Sequence, residues 1–393
     1  MMVYVTDTGI VSAIGLNTTE NFNALKSLRG GVIKSALKEG TPEIYHAPVG
    51  SSNAVLMKQF GVADVPHSRT SLLGIAAVTE AWKNRELRDD IRTGFISATS
   101  VGGMDKTENY DGRVLNNEAP DFDLVSTHDS GSTTEKIANH FGFKGYVNTI
   151  STACSSAANA IMLGARLIEA GHLDRVVVGG TDPLTDFTVK GFQSLMIYDT
   201  EWCKPFDEAR NGLNLGEGAA FLVLENEKSM QLSASTPLCR ITGWCNAADA
   251  YHQTASSPEG KGATLAMRGA LKKAGVLPEQ VGYINAHGTG TKNNDLSESV
   301  ALKNIFGEQL PPFSSTKAFT GHTLAAAGAI EAVFSVLSLV HHALLPAINF
   351  KTPVAETQLI PQTTFQTIDV VNAVLSNSFG FGGNNSSLLF QKV

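Results

Sequence analysis

Three short stretches join a nucleophile or an imidazole to small residues at the end of an apolar run. The first is Ser151-Thr152-Ala153-Cys154-Ser155-Ser156-Ala157-Ala158, which follows Tyr146-Val147-Asn148-Thr149-Ile150. This pattern predicts a strand, a tight turn and a helix start, with Cys154 at the helix N-terminus. Free amide N–H groups and the helix dipole favour a thiolate there. A helix terminus contributes about 0.3–1 kcal/mol, up to about 2 when partly buried. The expectation is therefore a thiol pKa lowered by about one unit. The second stretch is Asn285-Ala286-His287-Gly288-Thr289-Gly290-Thr291 and the third Lys317-Ala318-Phe319-Thr320-Gly321-His322. Each places a histidine where an apolar element ends at glycine. Two imidazoles exceed the need of a Cys–His hydrolase, which uses one as general base. Lys317, five residues before His322, can lower a histidine pKa by like-charge repulsion and keep the ring neutral.

The other cysteines, 203, 239 and 245, lack such flanks and read as buried structural thiols. No C-x-x-C pair is present, so a zinc knuckle or redox motif is not expected. Gly288-Thr289-Gly290-Thr291-Lys292 lacks the spacing of a phosphate loop, which argues against nucleotide binding. Near the C-terminus, Phe379-Gly380-Phe381-Gly382-Gly383 sets glycines around aromatics and allows positive φ and close backbone approach.

The elements that must position these residues alternate. Val3–Thr6, Gly94–Ser97, Arg175–Gly179 and Val281–Asn285 read as strands. Ser155–Gly171, Thr264–Ala274 and Leu324–His341 read as helices. Such alternation implies parallel sheets covered by helices. Gly216–Leu224 and Gly382–Phe390 each lead a glycine turn into an apolar strand, a faint sign of duplication. The polar stretch Glu227–Ala234 is the expected boundary between the halves.

The chain of 393 residues is 42% hydrophobic and 17% charged, ample for one large core or two fused ones. A net charge of −7 argues against a nucleic-acid partner. The most apolar stretch, Leu324 to Ile348, is broken by Glu331 and His341-His342, so a buried helix is expected and not membrane insertion. The N-terminus has no basic segment followed by an apolar core, so no signal peptide is expected and the cytoplasm is the expected location.

These motifs occur in one order with Val3-Tyr4-Val5-Thr6-Asp7-Thr8-Gly9, Cys203-Lys204-Pro205-Phe206-Asp207, Gly216-Glu217-Gly218-Ala219, Asp249-Ala250-Tyr251-His252 and Asn377-Ser378-Phe379-Gly380-Phe381-Gly382-Gly383-Asn384. Together they resemble the β-ketoacyl-[acyl carrier protein] synthases, decarboxylating condensing enzymes of the thiolase superfamily. The resemblance covers essentially the whole chain; Asp7 stands where the family usually has glycine. It implies an α/β thiolase-like fold, two pseudo-duplicated halves stacked as five α/β/α/β/α layers. The N-terminal half, 1–229, would carry the nucleophile, and the C-terminal half, 230–393, both histidines. It implies a catalytic set of Cys154, His287, His322 and Lys317, with Glu331 in support. The Phe381 N–H and that of the nucleophile would form the oxyanion hole, in a gating loop of Gly380, Phe381, Gly382 and Gly383. Thr289 and Thr291 would hydrogen-bond the pantetheine arm; Asp295 and Glu298 match positions that look structural.

The chemistry suits these residues. An acyl group must move onto Cys154, and malonyl-carrier must lose carbon dioxide to leave an enolate. One donor aimed at such an oxygen is typically worth about 2.7–4 kcal/mol. Two neutral imidazoles supply two. The resemblance implies no metal and no cofactor beyond the phosphopantetheine that an acyl carrier protein brings. It implies a homodimer or a heterodimer with a related subunit, its sheet continuing across a two-fold axis through an apolar segment such as Arg175–Gly179 or Tyr146–Ile150. Alternatives are a non-catalytic chain-length-factor-like partner subunit, which typically lacks the cysteine, and a Cys–His thioester hydrolase. The short spacer between Gly191-Phe192 and Cys203 resembles condensing enzymes of specialised pathways, including aryl polyene assembly.

Overall fold

The computed structural model of the chain describes residues 1–62 and 67–393. Its N-terminal half supplies β1 (Tyr4–Val11), β2 (Thr93–Ala98), β3 (Val147–Ile150), β4 (Arg175–Asp182) and β5 (Gly218–Glu225). The C-terminal half supplies β6 (Cys239–Ala248), β7 (Tyr283–Asn285), β8 (Phe313–Ser314), β9 (Ala373–Gly380) and β10 (Asn384–Gln391). The strand order is β3-β2-β4-β5-β1 in the first half and β8-β7-β9-β10-β6 in the second. Directions match as well. β2 runs parallel to β3 and β4, and β5 antiparallel to β4 and β1. β7 runs parallel to β8 and β9, and β10 antiparallel to β9 and β6. Among the described residues, strands of the two sets pair only at Tyr4↔Arg240 and Val5↔Cys239 of β1 and β6.

Helices complete the layers. α1 (Arg69–Ala81) covers one outer face; α3 (Lys261–Ala274) and α4 (Lys292–Phe306) cover the other side. Between the sheets lie α2 (Ser156–Glu169) and α5 (Ala327–His341), in contact with each other and with strands of both halves. Small residues permit that close crossing. A Cβ on Gly328 of α5 would stand 2.8 Å from the Ala158 nitrogen of α2. The result is the expected five-layer α/β/α/β/α stack of a thiolase-like fold. β4 and β5 are buried along their whole length, which explains the apolar runs Val176–Gly180 and Gly218–Leu224 within them.

Boundaries differ from expectation where local signals are weak. Leu324–Ala326 is a 3₁₀ turn, and the helix begins at Ala327. The apolar span Leu324–His341 is 89% buried inside the protein. The polar stretch after β5 is not a loop. Glu227–Ser233 is a short helix capped by the Asn226 side chain. Arg175–Gly179 cannot be a sheet edge, because β4 has neighbours on both sides. Among the described residues the terminal strands are β3, paired with β2, and the buried two-residue β8, paired with β7. Continuous hydrophobicity marks an interior strand, whereas β3 is partly exposed.

Candidate active site

Four loops converge at the carboxyl ends of the parallel strands. The β3–α2 turn carries Cys154. Ala153, just before it, sits at φ 53, a left-handed conformation that sharpens the turn. The Ser156 hydroxyl accepts from the Thr152 N–H at 2.8 Å and donates to the Ala153 carbonyl at 2.5 Å, locking the elbow. The helix cap is Ser155, so Cys154 stands one residue outside it. Burial overturns the expectation of a lowered thiol pKa. Desolvation pushes the Cys154 thiol up to about 12, against the opposing pull of Lys317 and the Phe381 amide. A helix terminus acts over about one unit, too little against loss of water.

His322 follows β8 and precedes α5. Its backbone is pinned between the Asn214 carbonyl (2.8 Å) and the Gly216 N–H (3.1 Å). This brings His322 Nε2 to 3.0 Å from Cys154 Sγ. His287 follows β7, and its ring meets that of His322 edge-on at 5.5 Å. Lys317 Nζ lies 3.2 Å from His287 Nδ1 and donates to the His287 carbonyl at 2.5 Å. An ammonium at Nδ1 leaves the ring proton of His287 on Nε2. Lys317 is also paired with Glu331, and both side chains are 2% exposed. Burial, and then the Lys317 charge, hold both histidines well below the ordinary pKa. Burial raises Glu331 to about 7 while Lys317 draws it down. The site therefore presents two neutral rings beside a protonated thiol.

Buried carboxylates hold the loops. Glu298 accepts from the amides of His287 (2.9 Å) and Gly288 (2.8 Å), and burial raises its pKa to about 7. Asp295 accepts from Thr289 N–H (2.9 Å), Gly290 N–H (3.1 Å) and Phe206 N–H (2.8 Å). Asp182, at the end of β4, is a residue that sequence reasoning missed. It accepts from Thr99 Oγ1 at 2.5 Å, Ser100 N–H at 3.0 Å and Ala325 N–H at 2.8 Å. It thereby ties the loop after β2 to the turn after His322. Burial raises it to about 6. An acid ending an apolar strand was the only signal for it.

Phe381 follows β9, and its N–H is directed at the Cys154 sulfur. A Cβ on Gly380 would lie 3.1 Å from the Cys154 nitrogen, so a side chain there would crowd that amide. The Phe381 ring stacks on Phe192 at 5.6 Å. Two cavities share Cys154, Phe192 and Phe381 in their lining. One of about 370 Å³ is lined by Cys154, His287, His322, Thr289, Thr291 and Phe381. Another, of about 550 Å³, is lined by Cys154, Phe381, Val101, Phe187, Phe192 and Leu324. The hydroxyls of Thr289 and Thr291 are 2.9 Å apart, and Thr291 also caps α4. Every site residue expected from the sequence gathers around these cavities or in the layer directly beneath them.

A buried thiol facing two neutral imidazoles, set in a duplicated five-layer frame, defines a thiolase-type condensing enzyme. Residues 65–229 match the β-ketoacyl synthase N-terminal domain and residues 238–351 its C-terminal domain. The chain is 34% identical to 3-oxoacyl-[acyl-carrier-protein] synthase 2 of Staphylococcus aureus, over 99% of this chain and 98% of that one. Among solved structures, the ishigamide ketosynthase/chain length factor superposes with a TM-score of 0.92 at 27% identity, covering 100% of this chain and 99% of the other. A ketosynthase in complex with its chain length factor from Xenorhabdus doucetiae gives 0.87 at 32% identity, covering 100% and 98%. The chain belongs to the β-ketoacyl synthase family, the condensing acyltransferases.

Proposed function

We propose that the chain catalyses decarboxylative condensation of an acyl-Cys154 thioester with malonyl-[acyl carrier protein]. The observation that carries this reading is Cys154 Sγ at 3.0 Å from His322 Nε2, with the neutral His287 ring alongside. In the first half-reaction the Cys154 sulfur bonds to the acyl carbonyl carbon. The carrier sulfur leaves and takes up the thiol proton. The Cys154 and Phe381 amides hold the oxyanion formed on the way. In the second, malonyl-carrier loses carbon dioxide, and the His287 and His322 N–H groups hold the enolate oxygen. The enolate carbon attacks the acyl-Cys154 carbonyl. Expulsion of the sulfur, which regains a proton, gives 3-oxoacyl-carrier two carbons longer.

The smaller cavity, with Thr289 and Thr291, suits the pantetheine arm that the carrier brings; the reaction calls for no further cofactor. The larger apolar cavity suits the acyl chain, and the Phe381 ring between the two serves as gate. The helix Asp186–Ser194 borders that cavity, so the short spacer after it supports a specialised acyl substrate. The open edge of β3 and the likeness to paired ketosynthases support a dimer with itself or with a related subunit. Retention of Cys154 and both histidines disfavours a non-catalytic subunit. The test is reaction of the purified chain with acyl- and malonyl-carrier proteins. The expected result is acyl-Cys154 by intact mass, then carbon dioxide and 3-oxoacyl-carrier. Hydrolysis of the acyl thioester without malonyl consumption would overturn the reading in favour of a hydrolase.

A further inference from the structure

Beneath the two oxyanion amides lies a ring of polar side chains that the reaction does not use directly. The side-chain oxygen of Asn384 lies 2.7 Å from Ser155 Oγ, 3.0 Å from Asn159 Nδ2 and 2.6 Å from Asn246 Nδ2. Asn246 also donates to Ser386 Oγ at 2.8 Å, and Ser386 to Asn159 Oδ1 at 2.7 Å, which closes the ring. Asn159 reaches the Thr152 hydroxyl at 2.9 Å, and Ser155 shares its proton with the Thr152 carbonyl at 2.8 Å. The ring thus grips the chain on both sides of Cys154.

Asn384 also closes the Phe381 loop, because its backbone pairs with Gly380. Within that loop Gly382 and Gly383 have φ values of 78 and 71. Glycine takes these angles at no steric cost, so no side chain braces the loop at either position. Covalent chain links the Cys154 elbow to this loop only through more than two hundred intervening residues. Asn384 is a direct non-covalent tie between them. We propose that Asn384 is a positioning residue that sets the distance between the Cys154 and Phe381 amides. This rests on the condensing reading above. It predicts a selective defect. Steps that build an oxyanion on the Cys154-bound acyl group need both amides in place. Decarboxylation of the malonyl thioester relies on His287 and His322 and does not.

The experiment measures two rates in the full chain: acylation of Cys154 by octanoyl-pantetheine, read by intact mass, and carbon dioxide release from malonyl-pantetheine. Asn384→Leu removes the acceptor at similar volume. Loss of one oxyanion donor costs 10²–10³-fold, so displacement of one should slow acylation about tenfold. Decarboxylation should hold at the wild-type rate. Asn384→Asp keeps the acceptor oxygen and should restore most of the acylation rate. Asn246→Ala removes one donor at an exposed position, and should shift the same ratio in the same direction even if the leucine variant does not fold. An unchanged ratio of the two rates in the folded variants overturns the assignment, as does an equal fall in both. A wild-type chain that neither acylates nor decarboxylates overturns the condensing reading itself, and the assignment with it.

Discussion

In the N-terminal half the turn between β3 and α2 delivers Cys154. In the C-terminal half the equivalent turn, between β8 and α5, delivers Lys317 and His322. The loop after β2 carries no imidazole; its Thr99 and Ser100 are bonded to Asp182. Its counterpart after β7 holds His287, whose amide is bonded to Glu298. Strand order and direction are the same in the two halves; the loop side chains are not. The duplicated frame brings four loop ends to one place, and the chemistry is divided among them. In the proposed reaction the first half supplies the nucleophile and the second half supplies both imidazoles and the Phe381 amide. In both, a buried carboxylate accepts main-chain amides and fixes the loop.

The widest separation comes from splitting the half-reactions. Cys154→Ala should abolish acyl-enzyme, with no adduct seen by intact mass. His287→Ala and His322→Ala should each slow malonyl decarboxylation by about 10²–10³-fold, the typical cost of an oxyanion donor. Acylation should survive in His287→Ala, because that ring does not touch the sulfur. Wild-type decarboxylation in either histidine variant would break the proposed division.

The buried Lys317–Glu331 pair has no partner device in the turn that carries Cys154. Lys317→Met leaves a buried carboxyl unpaired and should cost about 3–5 kcal/mol in denaturant unfolding. Lys317→Met with Glu331→Gln should recover most of that stability but not decarboxylation. Recovery of both would make the pair a packing device only.

The smallest effect concerns pH. His322 has a native pKa well below the ordinary value of 6.5. Between that native value and 6.5 the unfolded chain binds the extra proton and the native chain does not. Stability is therefore present above pH 6.5 and is lost as pH falls toward the native pKa, by at most about 1.4 kcal/mol per unit for this ring. His322→Gln should flatten the fall of the thermal midpoint between pH 6.5 and 5. An unchanged slope would mean that the ring titrates normally.

Much of the site was legible because its signals are local. Cys154 was marked by a strand run, a Ser-Thr-Ala turn and a small-residue helix. His287 and His322 were marked by glycines at the ends of apolar elements. What escaped depends on neighbours distant in sequence. The thiol pKa is set by burial under loops from both halves, which the elbow sequence does not encode. Asp182 gains its meaning only from amides at Ser100 and Ala325. Strand β8 is two residues long, too short for any alternation to register. The apolar run Arg175–Gly179 does not tell an edge from an interior strand, because hydrophobicity reports burial and not which neighbours supply it.

The central pair α2 and α5 has a consequence for how the molecule comes apart. Both sheets bury their inner faces on the same two helices, and one apolar cluster runs from Ile161 through Val333 to Val374 and Leu388. Each half has a smaller cluster of its own, but removing either half would strip one side of the helix that the other packs on this shared cluster. The repeat in the fold is therefore not a repeat in cooperativity. Two matching halves are expected to unfold as one unit, and a chain severed between β5 and β6 would expose part of the shared cluster on each piece.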